Sequence, residues 1–218
     1  MTSAGLEVGI MEAKPRMDRD SRREAILDVA AEVFLECGYA AASMSTIAAR
    51  LGGSKGTLYN YFKNKEELFE AYVVRHCAWQ QEAMDDLFSH GTDVVAVLTG
   101  VGEALLRVVL SDFGLRNFRL IIAEAPRAPE IGRAFYEAGP MRGAGRLAEF
   151  SGRAVTWGRL RPCDASAAAY QFIALCQSRL LKVRLCNYGP EPTDAEIGAE
   201  VAAAVDTFMA AFGANQSN

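Results

Sequence analysis

The segment from Ser45 to Lys65, STIAARLGGSKGTLYNYFKNK, contains the signals for two short helices joined by a tight turn. In its first half, Ile47 and Leu51 lie four residues apart and predict a narrow apolar face on one helix. The hydroxyl of Ser45 is placed to cap the first turn of that helix. Gly52-Gly53 predicts its end, because glycine accepts the backbone angles that close a helix.

The second half of the segment predicts a helix from Lys55 to Phe62, with Ser54 as its N-cap. Leu58 and Phe62 are four residues apart, so both side chains face inward. The side chains left facing outward are those of Lys55, Thr57, Tyr59 and Tyr61. Exposed tyrosines beside lysines are costly on an ordinary surface, whereas they suit a charged, planar partner.

The charge of this region differs from that of the chain around it. Residues 50–65 carry four basic side chains and no acidic one, although the whole chain has a formal net charge of −4. Two short helices around a small-residue turn form the helix-turn-helix pattern, whose second helix enters the DNA major groove. The alternative is a helical hairpin with a solvated basic face, and the charge and turn pattern favours DNA binding.

Apolar residues recur at helical spacing along the rest of the chain, and no alternating stretch is long enough to predict a strand. We therefore expect an all-α fold. Ser21 and Glu24 match a capping box that opens the first helix, and a kink is expected at Gly139-Pro140. The helices predicted outside the opening segment span residues 21–37, from 63 or 64 to about 90, 94–110, 116–125, 130–157, 165–187 and 195–212.

Composition restricts the class of protein further. Half of the 218 residues are hydrophobic and 23% are charged, which predicts a globular chain with a sizeable core. We found no catalytic motif, no phosphate-binding glycine pattern and no run of about 18 apolar residues. We therefore expect no enzyme activity, no cofactor and no membrane span. The lack of an apolar export signal predicts a cytoplasmic protein.

The cysteines show neither a C-x-x-C spacing nor a metal-ligand spacing with the two histidines, His76 and His90. We therefore expect reduced thiols and no metal site. Each thiol is interpreted as a small buried hydrophobe, the alternative being an oxidant sensor of lowered pKa. The five cysteines are Cys37, Cys77, Cys163, Cys176 and Cys186.

Two sets of motifs resemble a known family. The first set resembles the N-terminal domain of TetR-type transcriptional regulators, in a match that runs without gaps from about Arg22 to Leu68. It consists of Ser45–Ala48, Gly53–Phe62 and Lys63–Leu68. The second set is shorter and resembles the C-terminal domain of the AefR-like branch of that family. It consists of Phe118–Ala125, Pro129-Glu130 and Phe135–Pro140.

The resemblance implies an N-terminal three-helix helix-turn-helix domain followed by a larger C-terminal helical domain for ligand binding and dimerisation. Residues 1–20 mix glycine, proline and both charges without a period and are predicted to form a disordered arm. Residues 21–66 form the predicted DNA-binding domain, and residues 67–213 the predicted effector-binding and dimerisation domain. Residues 214–218 are expected to fray.

Ten positions are predicted to contact DNA because they match the family's helix-turn-helix motif. Lys55 and Thr57 are expected to reach base edges, while Tyr59 and Tyr61 contact sugar or phosphate. Hydroxyl groups at the start of the first short helix favour a phosphate, and the lysines at the start of the long helix match phosphate-contacting positions. The full set is Ser43, Ser45, Thr46, Lys55, Gly56, Thr57, Tyr59, Tyr61, Lys63 and Lys65.

The middle helices contain more aromatic and charged side chains than a plain core requires, which indicates a pocket for a small-molecule effector. For each of these residues the alternative is an ordinary place in the core. The candidates are Trp79, Phe113, Phe118, Arg119, Phe135, Tyr136, Phe150, Trp157, Tyr170, Gln171 and Phe172.

The last two predicted helices, 165–187 and 195–212, have wide apolar faces rich in small residues. Two such helices from each of two subunits would form a four-helix interface, and the resemblance implies a homodimer on a two-fold operator in double-stranded DNA. The sequence thus predicts a transcriptional repressor that a small molecule releases. The alternatives are a redox- or partner-gated regulator without an effector, and a helical small-molecule-binding protein that does not bind DNA.

Overall fold

The computed structural model describes residues 18–214, without the side chains of residues 79–85, 89 and 90. Within these residues the chain forms α-helices, one π-helical turn and a single isolated bridge between Leu160 and Gly213, which confirms the predicted all-α class. Most of the predicted arm, residues 1–20, and most of the predicted tail, residues 214–218, lie outside the described residues.

The helices follow one another with short connections. They are α1 (Arg19–Ala41), α2 (Met44–Arg50), α3 (Lys55–Tyr59), α4 (Lys65–His90), α5 (Val94–Leu110), α6 (Asp112–Glu124), α7 (Pro129–Tyr136), the π-helical turn (Glu137–Met141), α8 (Arg142–Thr156), α9 (Ala165–Cys176), α10 (Leu180–Leu185) and α11 (Asp194–Phe212).

Side-chain caps determine where most of these helices begin. Ser54 caps α3, as predicted. Asp164 caps α9, and Thr193 with Glu196 forms a capping box on α11. The predicted box of Ser21 and Glu24 is wrong, because the Asp18 carboxylate accepts the Ser21 N–H at 2.7 Å and α1 starts earlier.

The cap of α2 was also placed incorrectly from the sequence. The hydroxyl of Ser43, and not that of Ser45, accepts the backbone N–H of Thr46 at 3.1 Å. Similarly, α6 begins at Asp112 and not at residue 116, because the Ser111 hydroxyl accepts the N–H of Gly114 at 3.0 Å. In both places the chain offers an earlier hydroxyl at the spacing that a cap requires.

Three predicted helices differ in length from the observed ones. The second short helix ends at Tyr59 and not at Phe62. The expected kink at Gly139-Pro140 is the π-helical turn, which separates α7 from α8. The helix predicted over residues 165–187 is divided into α9 and α10, because the Glu200 carboxylate of α11 accepts the backbone N–H groups of Arg179 and Leu180.

The described residues pack into two hydrophobic cores. The first core joins α1 to α4 around Phe34, Phe69 and Tyr72, and it also includes Ile121 of α6 and Ile131 of α7. The second core joins α5, α8, α9, α10 and α11. Because α6 and α7 insert into the first core, the N-terminal helices are packed firmly against the rest of the chain.

No single helix within residues 18–214 is long and apolar enough to cross a membrane. Only α5 and α6 taken together reach that length and composition, across a bend of 70°.

Candidate nucleic-acid interface and internal cavity

The short helix α3 packs against the first core on one side and is exposed to solvent on the other. Leu58 is fully buried and Phe62, just beyond the helix, is 2% exposed, so both anchor α3 to the first core. Gly52 has a φ of +68° in the turn before α3, a value that glycine adopts without strain. Tyr59 is half exposed and Lys55 is exposed, so α3 presents a polar outer face beside a rigid turn.

The hydroxyl groups near the turn are arranged as two matched pairs. The Oγ atom of Ser43 lies 2.9 Å from Oγ1 of Thr46, and that of Ser54 lies 3.1 Å from Oγ1 of Thr57. Ser45 and Gly56 are exposed on the same two helices, and Tyr61 is partly buried against the first core. The predicted DNA-contacting residues therefore lie at the N-terminal ends of α2 and α3, at and just beyond the C-terminal end of α3, and at the start of α4.

The two lysines predicted to contact phosphate have different environments. Lys63 is exposed, and its side chain makes no ion pair within the described residues. The Lys65 ammonium group donates to the backbone carbonyls of Tyr39 at 2.8 Å and Ala42 at 3.1 Å, and it lies 4.2 Å from the centre of the Tyr39 ring. Lys65 thus ties the start of α4 to the linker between α1 and α2.

Positive charge near α3 is only partly neutralised. Arg50 pairs with Glu36 at 2.7 Å, which lowers the pKa of that carboxyl group. Lys55, like Lys63, is exposed and makes no ion pair with any described side chain. The uncompensated lysines therefore lie beside α3, where an anionic partner would meet them.

These two environments predict different consequences of removing each lysine. Lys63→Ala should reduce the slope of log affinity against log salt by about 1 per subunit, because each phosphate contact contributes about 0.9 to that slope. Lys65→Ala should leave the slope unchanged and lower the free energy of unfolding by about 1–2 kcal/mol through its lost hydrogen bonds. Salt titrations of DNA affinity and thermal unfolding of both variants make the comparison. A reduced slope for Lys65→Ala would show that its ammonium group reaches phosphate in the complex.

A cavity of about 180 Å³ lies inside the helical body, where α4, α5, α6, α8 and α9 meet the π-helical turn. Its lining is largely apolar, and Arg146 and Gln177 are its main polar members. The lining residues are Cys77, Phe88, Val101, Leu105, Val108, Val109, Phe118, Phe135, Gly139, Pro140, Gly143, Arg146, Leu147, Ile173 and Gln177.

Two of the eleven predicted ligand-binding residues, Phe118 and Phe135, line this cavity, and their rings lie 6.0 Å apart. The side chain of Trp79 lies outside the described residues. The other eight predicted residues lie elsewhere in the molecule. The apolar residues of α5 that line the cavity have the ordinary spacing of a core helix, so the sequence gives no signal that separates them from core.

The eight remaining predicted residues fall into three groups. Phe150 and Phe172 are fully buried in the second core, and Trp157 packs edge-on against Phe150. Arg119 donates to the backbone carbonyls of Arg184 and Leu185 at the end of α10. The others are exposed or partly exposed on the surface, namely Phe113, Tyr136, Tyr170 and Gln171.

The cavity is a largely apolar binding site with one cationic side chain, that of Arg146, in its lining. Burial raises the pKa of the Cys77 thiol to about 11, so this wall of the cavity is uncharged at neutral pH. The guanidinium group of Arg146 and the amide of Gln177 are the polar groups that a ligand would meet. The cavity therefore suits a compact, mostly apolar molecule that carries one hydrogen-bonding or anionic group.

The described part of the chain gives little support for a metal site or a disulfide. Among the residues whose side chains are described, no three His, Cys, Asp or Glu side chains are placed to hold a metal ion. All five cysteines are free thiols, and Cys77 and Cys176 are buried.

The fold combines a helix-turn-helix unit, whose second helix has an exposed outer face, with a helical body that contains a cavity. This combination is typical of transcriptional regulators. Sequence comparison identifies the family. The profile of the bacterial regulatory proteins of the tetR family matches residues 26–72, and that of the AefR-like transcriptional repressor C-terminal domain matches residues 96–214. The chain belongs to the TetR family, which confirms both resemblances.

Curated relatives share parts of the sequence. The transcriptional activator FasR of Mycolicibacterium smegmatis is 49% identical over 61 residues, which is 28% of each chain. The transcriptional regulator UidR of Escherichia coli K12 is 31% identical over 110 residues, covering 50% of this chain and 54% of UidR. The matches thus span from about a quarter to about half of these relatives' lengths.

Solved structures resemble the whole body of the chain. A TetR-family transcriptional regulator from Mesorhizobium loti MAFF303099 is 27% identical, with a TM-score of 0.82, and the match covers 90% of this chain and all of that one. The flavonoid-responsive regulator FrrA is 29% identical, with a TM-score of 0.80, and the match covers 91% of this chain and all of FrrA.

Proposed function

We propose that this TetR-family regulator is a homodimeric repressor that binds a two-fold operator in double-stranded DNA and is released by a small molecule. The carrying observation is the outer face of α3, where Lys55 and Tyr59 are exposed beside a rigid, capped turn. A lysine and an aromatic ring on the second helix of a helix-turn-helix unit suit contacts with base edges and the DNA backbone.

The helices α9 and α11 supply the proposed dimer interface. They pack against each other, and each has exposed small residues at helical spacing. These residues are Ala167 and Ala174 on α9, and Ala195, Ala199, Ala202, Ala203 and Ala210 on α11. Small side chains allow two helix pairs to approach closely, and a two-fold interface would present two α3 helices to successive major grooves.

The cavity supplies the proposed effector site. A cavity of about 150 Å³ lined by apolar side chains holds a benzene molecule, so the observed 180 Å³ suits a molecule of one or two small rings. The effector would place its apolar body between Phe118 and Phe135 and its polar group near Arg146. The flavonoid-responsive relative FrrA and the AefR-like repressor profile support a repressor that responds to a small molecule.

The proposal predicts that Tyr59→Ala weakens operator binding by about tenfold while the dimer stays intact, because one backbone or base contact per subunit is lost. The operator is first selected from a random duplex pool with the wild-type protein, and affinity is then measured by fluorescence anisotropy. Tyr188→Ala is the matched control, since Tyr188 is 78% exposed in the loop after α10. Wild-type protein that enriches no sequence and binds duplex DNA without salt dependence would refute the proposed function.

A further inference from the structure

One part of the cavity wall is backbone that lies directly against α4. Gly139 and Pro140, in the π-helical turn, line the cavity together with Cys77 of α4. A Cβ atom at position 139 would lie 3.1 Å from the Sγ atom of Cys77, which is tighter than ordinary van der Waals contact. A methyl group at this position would require the turn or the Cys77 side chain to shift by a few tenths of an ångström.

The same turn has the least regular backbone of the cavity wall. Pro140 has no N–H group, so it removes one hydrogen bond from the helix ladder. The π-helical pattern widens the chain at this point, and such turns recur at functional sites. The opposite walls consist of side chains on the regular helices α5, α6 and α9. A molecule that enlarges the cavity will therefore displace the π-helical turn before it displaces those helices.

Cys77 links this wall to the DNA-binding helices. Its side chain is 1% exposed and belongs to the first core, together with Tyr72 and Val73 of α4. Close-packed interiors transmit small displacements, so a movement of the turn toward Cys77 moves α4. The other end of α4 holds the linker before α2 through the Lys65 ammonium group.

We propose that the contact between Gly139 and Cys77 communicates occupancy of the cavity to the DNA-binding helices. With the cavity empty, the glycine backbone leaves room for the thiol, and α4 keeps the orientation that fits the operator. An apolar molecule in the cavity presses the turn against Cys77, and α4 tilts. This inference rests on the proposed function, since it assigns the route by which the proposed effector acts.

The contact can be tested without knowing the effector. Gly139→Ala adds a methyl group against Sγ and should lower operator affinity by about tenfold in the absence of any added molecule, within the range of typical allosteric couplings. Cys77→Ala removes the Sγ atom that the new methyl group would meet, so Gly139→Ala combined with Cys77→Ala should bind the operator within about threefold of Cys77→Ala alone. Gly145→Ala is the matched control, because this glycine lies on α8 outside the cavity lining and its Cβ atom would meet nothing within 4 Å.

A second substitution changes the α4 side of the same contact. Cys77→Val enlarges the side chain toward the turn and should also lower operator affinity by about tenfold, with thermal unfolding measured to verify that the variant is folded. Wild-type affinity in folded Gly139→Ala or Cys77→Val, or failure of the double variant to recover, would overturn the coupling. Failure of the wild-type protein to bind any selected operator would instead reject the proposed function.

Discussion

Ala203→Glu is expected to separate the dimer into single chains and to lower operator affinity by at least about a hundredfold. In the proposed interface, the substitution buries a carboxylate from each subunit in an apolar contact, where it has no partner charge. In a dimer, binding of the second α3 helix to its half-site becomes intramolecular. This raises the affinity for the whole operator by a factor of about 10²–10⁴. A single chain loses this advantage even though its α3 is unchanged.

The measurement combines light scattering for mass with anisotropy for DNA affinity. Ala96→Glu serves as the control, since Ala96 is exposed near the N-terminus of α5, a helix outside the proposed interface. Ala96→Glu should unfold at wild-type temperature, whereas Ala203→Glu should keep its helical content and unfold at a lower temperature, because loss of the partner removes the stabilisation that association gives. An Ala203→Glu protein that keeps the mass of a dimer would show that the exposed stripe of α11 is not the interface.

The features that the sequence predicted well are local ones. Ser54 is followed by its own helix, and the spacing of Leu58 and Phe62 is enough to show which side of that helix is buried. Asp164 and Thr193 cap α9 and α11 through hydrogen bonds that span three residues or fewer. Such signals are contained in short segments, so they can be interpreted without knowledge of the fold.

The features that the sequence missed depend on contacts between distant segments. The break between α9 and α10 follows from Glu200, which lies 20 residues beyond Leu180 and accepts its N–H group. The cavity is equally hidden, because Val97 and Val101, one turn apart, both belong to the second core and Val101 also lines the cavity. Spacing identifies both valines as buried but does not show where packing leaves a space.

The second large effect expected is a loss of stability in mild acid that depends on His76. Burial, with a smaller contribution from Arg75, lowers the pKa of this histidine to about 4, and its ring packs edge-on against Phe113 at 4.9 Å. The unfolded chain binds a proton at a pKa of about 6.5. Between those two values the unfolded state therefore holds more protons, so the free energy of unfolding falls as the pH decreases.

From pH 7 to pH 5 this residue lowers the free energy of unfolding by about 2 kcal/mol. This value follows because pH 5 lies about 1.5 units below the pKa of the histidine in the unfolded chain. The variant His76→Gln cannot titrate and should lose most of this dependence, as measured by urea unfolding at several pH values. The control is His90→Gln, at the other histidine of the chain.

The three carboxyl groups whose pKa values are lowered contribute little to this loss above pH 5. The pKa values of Asp18, Glu36 and Glu196 are lowered by hydrogen bonds to Ser21, Arg50 and Thr193 respectively, so these groups stay ionised throughout the window. Because His76 lies on α4 and Phe113 on α6, acid should weaken the packing of the N-terminal helices against the body of the chain. If His76→Gln loses as much stability as the wild type between pH 7 and pH 5, another group causes the acid sensitivity. The packing of α4 against α6 would then be the same at both pH values.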